Sequence, residues 1–131
     1  MRWLVDGMNV IGSQPDGWWR DRAGAARRLT AELHALADAT GDEIAVTFEG
    51  EEFPGLPPGR HGGQAEVRYA HRRGRDAADD RIVDDVSNDP DPARLTIVTS
   101  DRDLARRVKE LGATVVAPSV LRQRLSASSG G

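Results

Sequence analysis

The sequence predicts an α/β fold, a three-layer α/β/α sandwich with a mostly parallel sheet. Short apolar runs rich in β-branched residues alternate with longer stretches in which apolar residues recur at helical spacing. This alternation is typical of parallel strands joined by helices that cover both faces of a sheet. A length of 131 residues suits one domain with one core. No apolar run approaches the roughly 18 residues of a membrane span.

Five segments have the composition of buried strands, and the third of them is the weakest. Strands are predicted over 3–5, 44–48, 66–69, 95–99 and 114–116. Three helices are predicted from apolar repeats at Leu29, Leu33 and Leu36, at Ala78, Ile82 and Val86, and at Leu104, Val108 and Leu111. Gly112 is expected to end the last of these helices, just before the fifth strand.

The predicted domain covers residues 1–125 and is followed by a tail. Residues 53–63 contain three prolines and four glycines, which predicts a loop, and residues 126–131 are expected to form a flexible C-terminal tail. The chain reaches Asp6 too soon for the apolar segment of a signal peptide. We therefore expect a cytoplasmic protein without membrane contact. The lack of cysteine excludes a disulfide framework and a thiolate metal site.

Acidic residues follow three predicted strands, at the edge where α/β sheets bind ligands. Asp6 follows the first strand, Glu49 the second and Asp101 the fourth. Ligands of open α/β sheets lie beyond the carboxyl ends of the strands. A single acid there is commonplace, because Asp favours turns and helix starts, and Asp101 alone would fit a plain turn. Three acids on one edge of a small sheet favour a functional site.

A fourth acid is predicted to point inward from the helix after the third strand. At about 100° per residue, the apolar residues of this helix define a buried arc, and Asp79 falls inside it. Asp76 and Asp80 lie at its edge or beyond, where a helix N-terminus favours acids in any case. Burial of an acid is expensive unless a solvent-lined site receives it. Asp79 is therefore predicted to belong with the acids at the strand ends.

The predicted group of acids favours metal-dependent cleavage of a phosphodiester. Converging carboxylates do not all stay ionised unless a cation lies among them, and all-oxygen ligands suit Mg²⁺ or Mn²⁺. Competing α/β sites fail on particular residues, because the chain has no P-loop and no Gly-x-Ser-x-Gly turn. A receiver domain would need a lysine after the fifth strand, where 116–119 read Val-Ala-Pro-Ser. A haloacid dehalogenase would need an acid at Met8.

Arginine provides almost all of the positive charge, with Lys109 the only lysine. Arg72, Arg73 and Arg75 are the predicted substrate-binding residues, because guanidinium groups match phosphate oxygens in pairs. The alternative for such a cluster is an ordinary solvated face.

A second arginine cluster lies beside two tryptophans near the start of the first long helix. It consists of Arg20 and Arg22, and the tryptophans are Trp18 and Trp19. Both aromatic side chains are able to stack on bases, although we expect one or both to cover the core.

Three motifs, in this order along the chain, resemble the NYN domain family, and most closely its YacP-like group within the PIN-like nuclease superfamily. They are residues 4–11, Leu-Val-Asp-Gly-Met-Asn-Val-Ile; residues 78–82, Ala-Asp-Asp-Arg-Ile; and residues 98–103, Val-Thr-Ser-Asp-Arg-Asp. The likeness extends over about 2–125. It implies a PIN-like, Rossmann-like sandwich and a divalent-metal-dependent endoribonuclease that hydrolyses RNA. Some relatives act on RNA in connection with the ribosome, so a ribosomal partner is a further expectation.

The resemblance also implies roles for particular residues. Asp6, Asp79 and Asp101 match the metal-binding acids of the family. Three further residues match its supporting catalytic positions: Asn9, Asp80 and Asp103. For Asp103 the alternative is a capping box with Ser100. Glu49 departs from the Phe-Asp-Gly expected at the second strand end, so it is not included in the predicted site.

Two other functions remain open from the sequence. One is a non-catalytic RNA-binding module that has kept the fold and the acids. The other is a signalling domain that uses the acidic pocket to sense phosphate or a nucleotide. Acids on three elements favour the enzyme, because binding alone gains nothing from carboxylates that face phosphate. The sequence does not indicate the RNA target or the oligomeric state.

Overall fold

A computed structural model describes residues 1–70 and 77–129 of the chain. The strands are β1 (Arg2–Asp6), β2 (Glu43–Glu49), β3 (Ala65–Ala70), β4 (Leu95–Val98) and β5 (Thr114–Val116). All pair in parallel, in the order β3-β2-β1-β4-β5. Each strand begins and ends within one residue of its predicted bounds. The predicted α/β class and sheet are confirmed.

The described residues include five α-helices beside the sheet. They are α1 (Gly7–Gly12), α2 (Arg22–Thr40), α3 (Ala77–Ser87), α4 (Arg102–Glu110) and α5 (Pro118–Ser129). The three helices predicted from apolar repeats are α2, α3 and α4, and α4 ends before Gly112, which has a φ of +101°. The boundary predicted at residue 125 falls inside α5, which continues to Ser129. No helix in the described part of the chain is long and apolar enough to cross a membrane.

The helices form a layer on each face of the sheet. Along β1 the side chains alternate, so Trp3 and Val5 pack in a cluster with residues of α1, α2 and α5. Leu4 faces the other way, into a cluster with Ile82 and Val86 of α3 and with apolar residues of α4. The two-residue period of a strand therefore divides the core into two parts, as a three-layer sandwich requires.

The predicted loop connects β2 to β3 and covers the outer edge of the sheet. Leu56 is buried in the cluster on the α2 side, and its carbonyl accepts a hydrogen bond of 2.7 Å from the Tyr69 hydroxyl. Gly59 and Val67 exchange two backbone hydrogen bonds of 2.9 Å. The loop thus satisfies backbone groups of β3 that would otherwise be an unpaired edge.

The strand order opens a crevice next to β1. In the sheet, β2 and β3 lie on one side of β1, and β4 and β5 lie on the other side. Connections on the two sides therefore diverge at the carboxyl ends of β1 and β4, which is where open α/β sheets bind their ligands. Asp6 ends β1, and Thr99, Ser100 and Asp101 follow β4 directly.

Candidate active site

A buried carboxyl group ends β1, at the edge of the sheet where the strand order predicts this crevice. Asp6 is only 6% exposed, and its Oδ2 accepts a hydrogen bond of 3.0 Å from the Thr99 hydroxyl. The pKa of Asp6 is raised to about 6, chiefly by burial and also by the negative charges of Asp101 and Glu49, against the lowering effects of the hydrogen bonds from Thr99 and from the Asn9 backbone. Two acids from other strand ends therefore act electrostatically on Asp6.

The turn after β4 is held by its own aspartate. Asp101 is the N-cap of α4, and its Oδ1 accepts hydrogen bonds from the backbone N–H groups of Asp103 (2.9 Å) and Leu104 (3.1 Å). The alternative capping box from Ser100 to Asp103 is wrong, because Asp101 fills that role. The N–H of Asp101 donates to the Thr99 hydroxyl at 3.1 Å. Thr99 thus connects the two predicted metal ligands by hydrogen bonds.

Asn9 ties the first motif to the last across the crevice. It lies on α1, and its Oδ1 accepts hydrogen bonds from the backbone N–H of Ser100 (2.8 Å) and from the Ser100 hydroxyl (3.0 Å). These contacts join residues 91 positions apart in the chain. Asn9 therefore positions the turn that carries Asp101.

Asp79 is buried, as the helical period predicts. It lies in the first turn of α3 and is 8% exposed. Asp6 lies two residues after Leu4, so it points to the same face of the sheet as Leu4, which α3 covers. Since α3 follows the carboxyl end of β3, Asp6 and Asp79 share both a face and an edge of the sheet.

Two of the predicted supporting acids pair with arginines instead. The Asp80 Oδ1 accepts hydrogen bonds of 3.2 Å from both terminal nitrogens of Arg107, which links α3 to α4. The Asp103 carboxylate is 63% exposed and pairs with Arg106 at 2.6 Å. The first contact stabilises the packing of two helices, and the second is a surface ion pair. Their supporting catalytic roles stay predictions.

Glu49 belongs to this site by position, although it was not included in the predicted set. It ends β2, and it is two and four residues beyond Thr47 and Ala45, so all three side chains point to the face covered by α3. Its charge also raises the pKa of Asp6. The alternation of side chains along β2 was the pattern that could have identified it from the sequence.

The acids do not form a ready-made metal cage. Within residues 1–70 and 77–129, no group of three or more His, Cys, Asp or Glu side chains could hold a metal ion as they stand. The Asp6 carboxylate accepts a hydrogen bond from the Thr99 hydroxyl, and the Asp101 carboxylate accepts hydrogen bonds from backbone N–H groups of α4. Mg²⁺ commonly takes only one or two carboxylates and completes its shell with water and substrate phosphate. The all-oxygen donors of this edge fit that mode of binding.

Of the two arginine clusters, the structure describes the one beside the tryptophans. Arg72, Arg73 and Arg75 lie outside the described residues, so their role stays a prediction. Trp18 and Trp19 form a 3₁₀ turn before α2, and they differ: Trp18 packs against the core, as expected, whereas Trp19 is 55% exposed.

Comparisons with known proteins identify the family from the sequence and the fold from solved structures. The sequence model of the YacP-like NYN domain family matches residues 3–130 of this chain. The crystal structure of Rae1 (YacP) from Bacillus subtilis matches with a TM-score of 0.78 and 22% identity, over 99% of this chain and 76% of that chain. A mutant form of that protein matches with a TM-score of 0.76 and 20% identity, over 99% and 77% of the respective chains. No curated protein matches this chain in sequence.

Proposed function

The chain belongs to the YacP-like NYN domain family, a family of PIN-like nucleases, and from that premise we propose that it is a divalent-metal-dependent endoribonuclease. Its substrate is RNA, and it hydrolyses phosphodiester bonds at the crevice between β1 and β4. The observation that carries this proposal is the buried Asp6 carboxyl, whose pKa is about 6 beside the charges of Asp101 and Glu49.

The electrostatics of the crevice support a cation as part of the working site. Within the described residues, no arginine, lysine or histidine forms an ion pair with Asp6, Glu49 or Asp101. At neutral pH these acids repel one another, and a hard divalent ion relieves the repulsion. Asp6, Asp79 and Asp101 would hold Mg²⁺ or Mn²⁺. When bound, the ion supplies a water of lowered pKa and neutralises charge on the phosphodiester.

The protein's own hydrogen bonds orient the ligands. The Thr99 hydroxyl donates to the Asp6 Oδ2 and so fixes the orientation of that carboxylate. Within residues 1–70 and 77–129, the hydrogen bonds to the Asp101 side chain engage only its Oδ1. Asn9 holds the connecting turn through Ser100. This arrangement positions two carboxylates on a rigid frame, as metal-dependent hydrolysis requires.

A non-catalytic RNA-binding module explains these observations less well. Carboxylates that face phosphate weaken binding unless a cation lies between them. The buried Asp6 also destabilises the folded state when it is ionised, which a pure binding surface does not need. Contact of the substrate backbone with Arg72, Arg73 and Arg75, and a ribosomal partner, remain parts of the proposal.

The test is cleavage of a labelled single-stranded RNA in Mg²⁺, in Mn²⁺ and in EDTA. We expect cleavage only with metal, and a loss of roughly 100-fold or more in Asp6→Asn and Asp79→Asn, because each loses a charged metal ligand. The matched control for α3 is Asp84→Asn, which changes an exposed acid of the same helix and should cleave as the wild type does. Cleavage that persists in EDTA, or in both variants, would overturn the proposal.

A further inference from the structure

Trp19 is an exposed aromatic side chain on an otherwise polar part of the surface. In the described part of the chain only three large hydrophobic residues are exposed: Met1, Trp19 and Leu111. Trp19 is the only aromatic one among them, with 55% of its surface in contact with solvent. A single exposed apolar residue is common and needs no explanation. A functional role for Trp19 therefore depends on its ring contacts, on the charged residues around it and on its place in the fold.

The Trp19 ring is held by its neighbour. Trp18 packs edge to face against it, with centroids 6.1 Å apart and planes at 87°. Trp18 itself packs on the core and lies against the end of α1, where a Cβ on Gly12 would meet its ring at 3.7 Å. These contacts reduce the rotamer freedom that the pair loses on binding a ligand, which favours stacking.

Two guanidinium groups flank this pair. The Arg20 guanidinium lies over the Trp19 ring, 5.9 Å from its centroid, and the Arg22 guanidinium lies over the Trp18 ring at 5.4 Å. Both arginines are exposed, and neither pairs with an acid in the part of the chain that the structure describes. The intervening Asp21 is engaged, because its Oδ1 accepts a hydrogen bond of 2.9 Å from the Gly24 N–H as the cap of α2.

The topology puts this turn on the edge of the sheet that carries Asp6. Helix α1 starts at the carboxyl end of β1 and spans about 9 Å. Helix α2 begins just after the turn and returns the chain to the amino edge, where β2 starts. The turn therefore lies at the carboxyl edge, on the face opposite to α3.

We propose that Trp19, Arg20 and Arg22 form a stacking platform for single-stranded RNA on the same edge of the sheet as the active site. An unpaired base stacks on the Trp19 ring, and the two guanidinium groups contact the flanking phosphates. Every base has a π-face, and the arginine fork matches phosphate oxygens, so the platform accepts any sequence but requires an unpaired strand. The inference rests on the proposed function, because it takes RNA as the substrate.

The first test measures binding of a fluorescent 12-nucleotide single-stranded RNA in EDTA, where no metal-dependent cleavage occurs. Trp19→Ala should lower the affinity by roughly 5- to 150-fold, which is the value of one stacked base, and Trp19→Phe should restore most of it. Leu111→Ala is the matched control, because it removes an exposed apolar side chain at the far end of α4 and should leave the affinity unchanged. The affinity for a double-stranded RNA should not depend on Trp19.

The second test measures the salt dependence of binding. Each lost phosphate contact lowers the slope of log K against log salt by about 0.7 for a single strand. Arg20→Ala should reduce the slope by about that amount, whereas Trp19→Ala should reduce the affinity at every salt concentration with the slope unchanged. In the cleavage assay, Trp19→Ala should raise KM with kcat unchanged, because the stacked base lies outside the reacting atoms.

Failure of this inference and failure of the proposed function give different results. If Trp19→Ala matches the wild type both in RNA affinity and in KM of metal-dependent cleavage, the platform is refuted and the exposed surface binds another partner such as a protein. Intact metal-dependent cleavage in that case would leave the proposed function standing. If instead Trp19 governs binding but no metal supports cleavage, the platform stands and the nuclease mechanism is wrong.

Discussion

Acidic residues at the two edges of the sheet have opposite surroundings. At the amino edge, the Asp42 carboxylate accepts hydrogen bonds of 3.1 Å from the Met1 amino group and from the Trp3 indole. Burial alone would raise the pKa of Asp42, but these donors together outweigh it and lower the pKa below its ordinary value. Asp89, at the same edge, is bound by Arg2. At the carboxyl edge, the pKa of Asp6 is raised to about 6.

The difference separates residues that stabilise the fold from residues that a site requires. Carboxylates with donors or cations around them contribute stability at neutral pH, whereas a buried carboxyl beside like charges reduces it. A raised pKa of a buried carboxyl group, in a crevice at the topological switch point of a sheet, is typical of functional sites. One small sheet thus carries both arrangements, and only the carboxyl edge has the electrostatics that a cation would complete.

A bound metal ion should compensate the negative charge of the acids at the carboxyl edge, as hydrogen-bond donors and Arg2 already do for the acids at the amino edge. At a concentration of Mg²⁺ or Mn²⁺ a hundredfold above its dissociation constant, the wild type should gain about 2.7 kcal/mol of unfolding free energy. Asp101→Asn should gain much less, because a charged ligand is missing. Urea unfolding in EDTA and in excess metal measures both values. Asp84→Asn should gain as much as the wild type. Equal gains for Asp101→Asn and the wild type would mean that the ion binds elsewhere.

The pH dependence of stability should have opposite signs at the two edges. The pKa of Asp6 is higher in the folded state, so its contribution is complete at low pH and is lost as the pH rises through about 6. Between pH 5 and 7.5 the loss is on the order of 1.4 kcal/mol, from a folded pKa of about 6 against an unfolded value near 3.9. Asp42 has a lowered pKa, so its contribution is lost only as the pH falls below its unfolded value.

Unfolding in EDTA at a series of pH values checks this contrast. The difference in unfolding free energy between the wild type and Asp6→Asn should change by about this amount between pH 5 and 7.5. Asp42→Asn should show the same change in unfolding free energy over that pH range as the wild type. The same slope in Asp6→Asn and in the wild type would show that Asp6 does not titrate with a raised pKa.

The smallest expected effect separates the two roles of Asp101. As the N-cap of α4 it should contribute about 1 kcal/mol, so Asp101→Ala should lose that amount in EDTA. Asn is as good a cap as Asp, so Asp101→Asn should keep the stability of the wild type while it loses metal binding and cleavage. Asp103→Ala changes an exposed ion pair and should stay within about 0.5 kcal/mol. A loss in Asp101→Asn as large as in Asp101→Ala would contradict the cap.

Local patterns explain why the strands and the inward direction of Asp79 could be predicted. The period of a strand is two residues and that of a helix is 3.6, and both appear in a few consecutive residues of the chain. Helix α1 could not be found in this way, because six residues are too few to show a period. Helix α5 has only two buried leucines, Leu121 and Leu125, to indicate it.

The sequence by itself determined the parallel α/β class, the acids at the strand ends and the buried face of α3, because neighbouring residues encode each of them. Tertiary structure alone decided which partners these acids have. The hydrogen bonds from Thr99 to Asp6 and from Ser100 to Asn9 join residues more than 90 positions apart, and they depend on β1 and β4 being neighbours. The pairing of Asp80 with Arg107 and the exposure of Trp19 likewise follow from packing between elements, which no local period records.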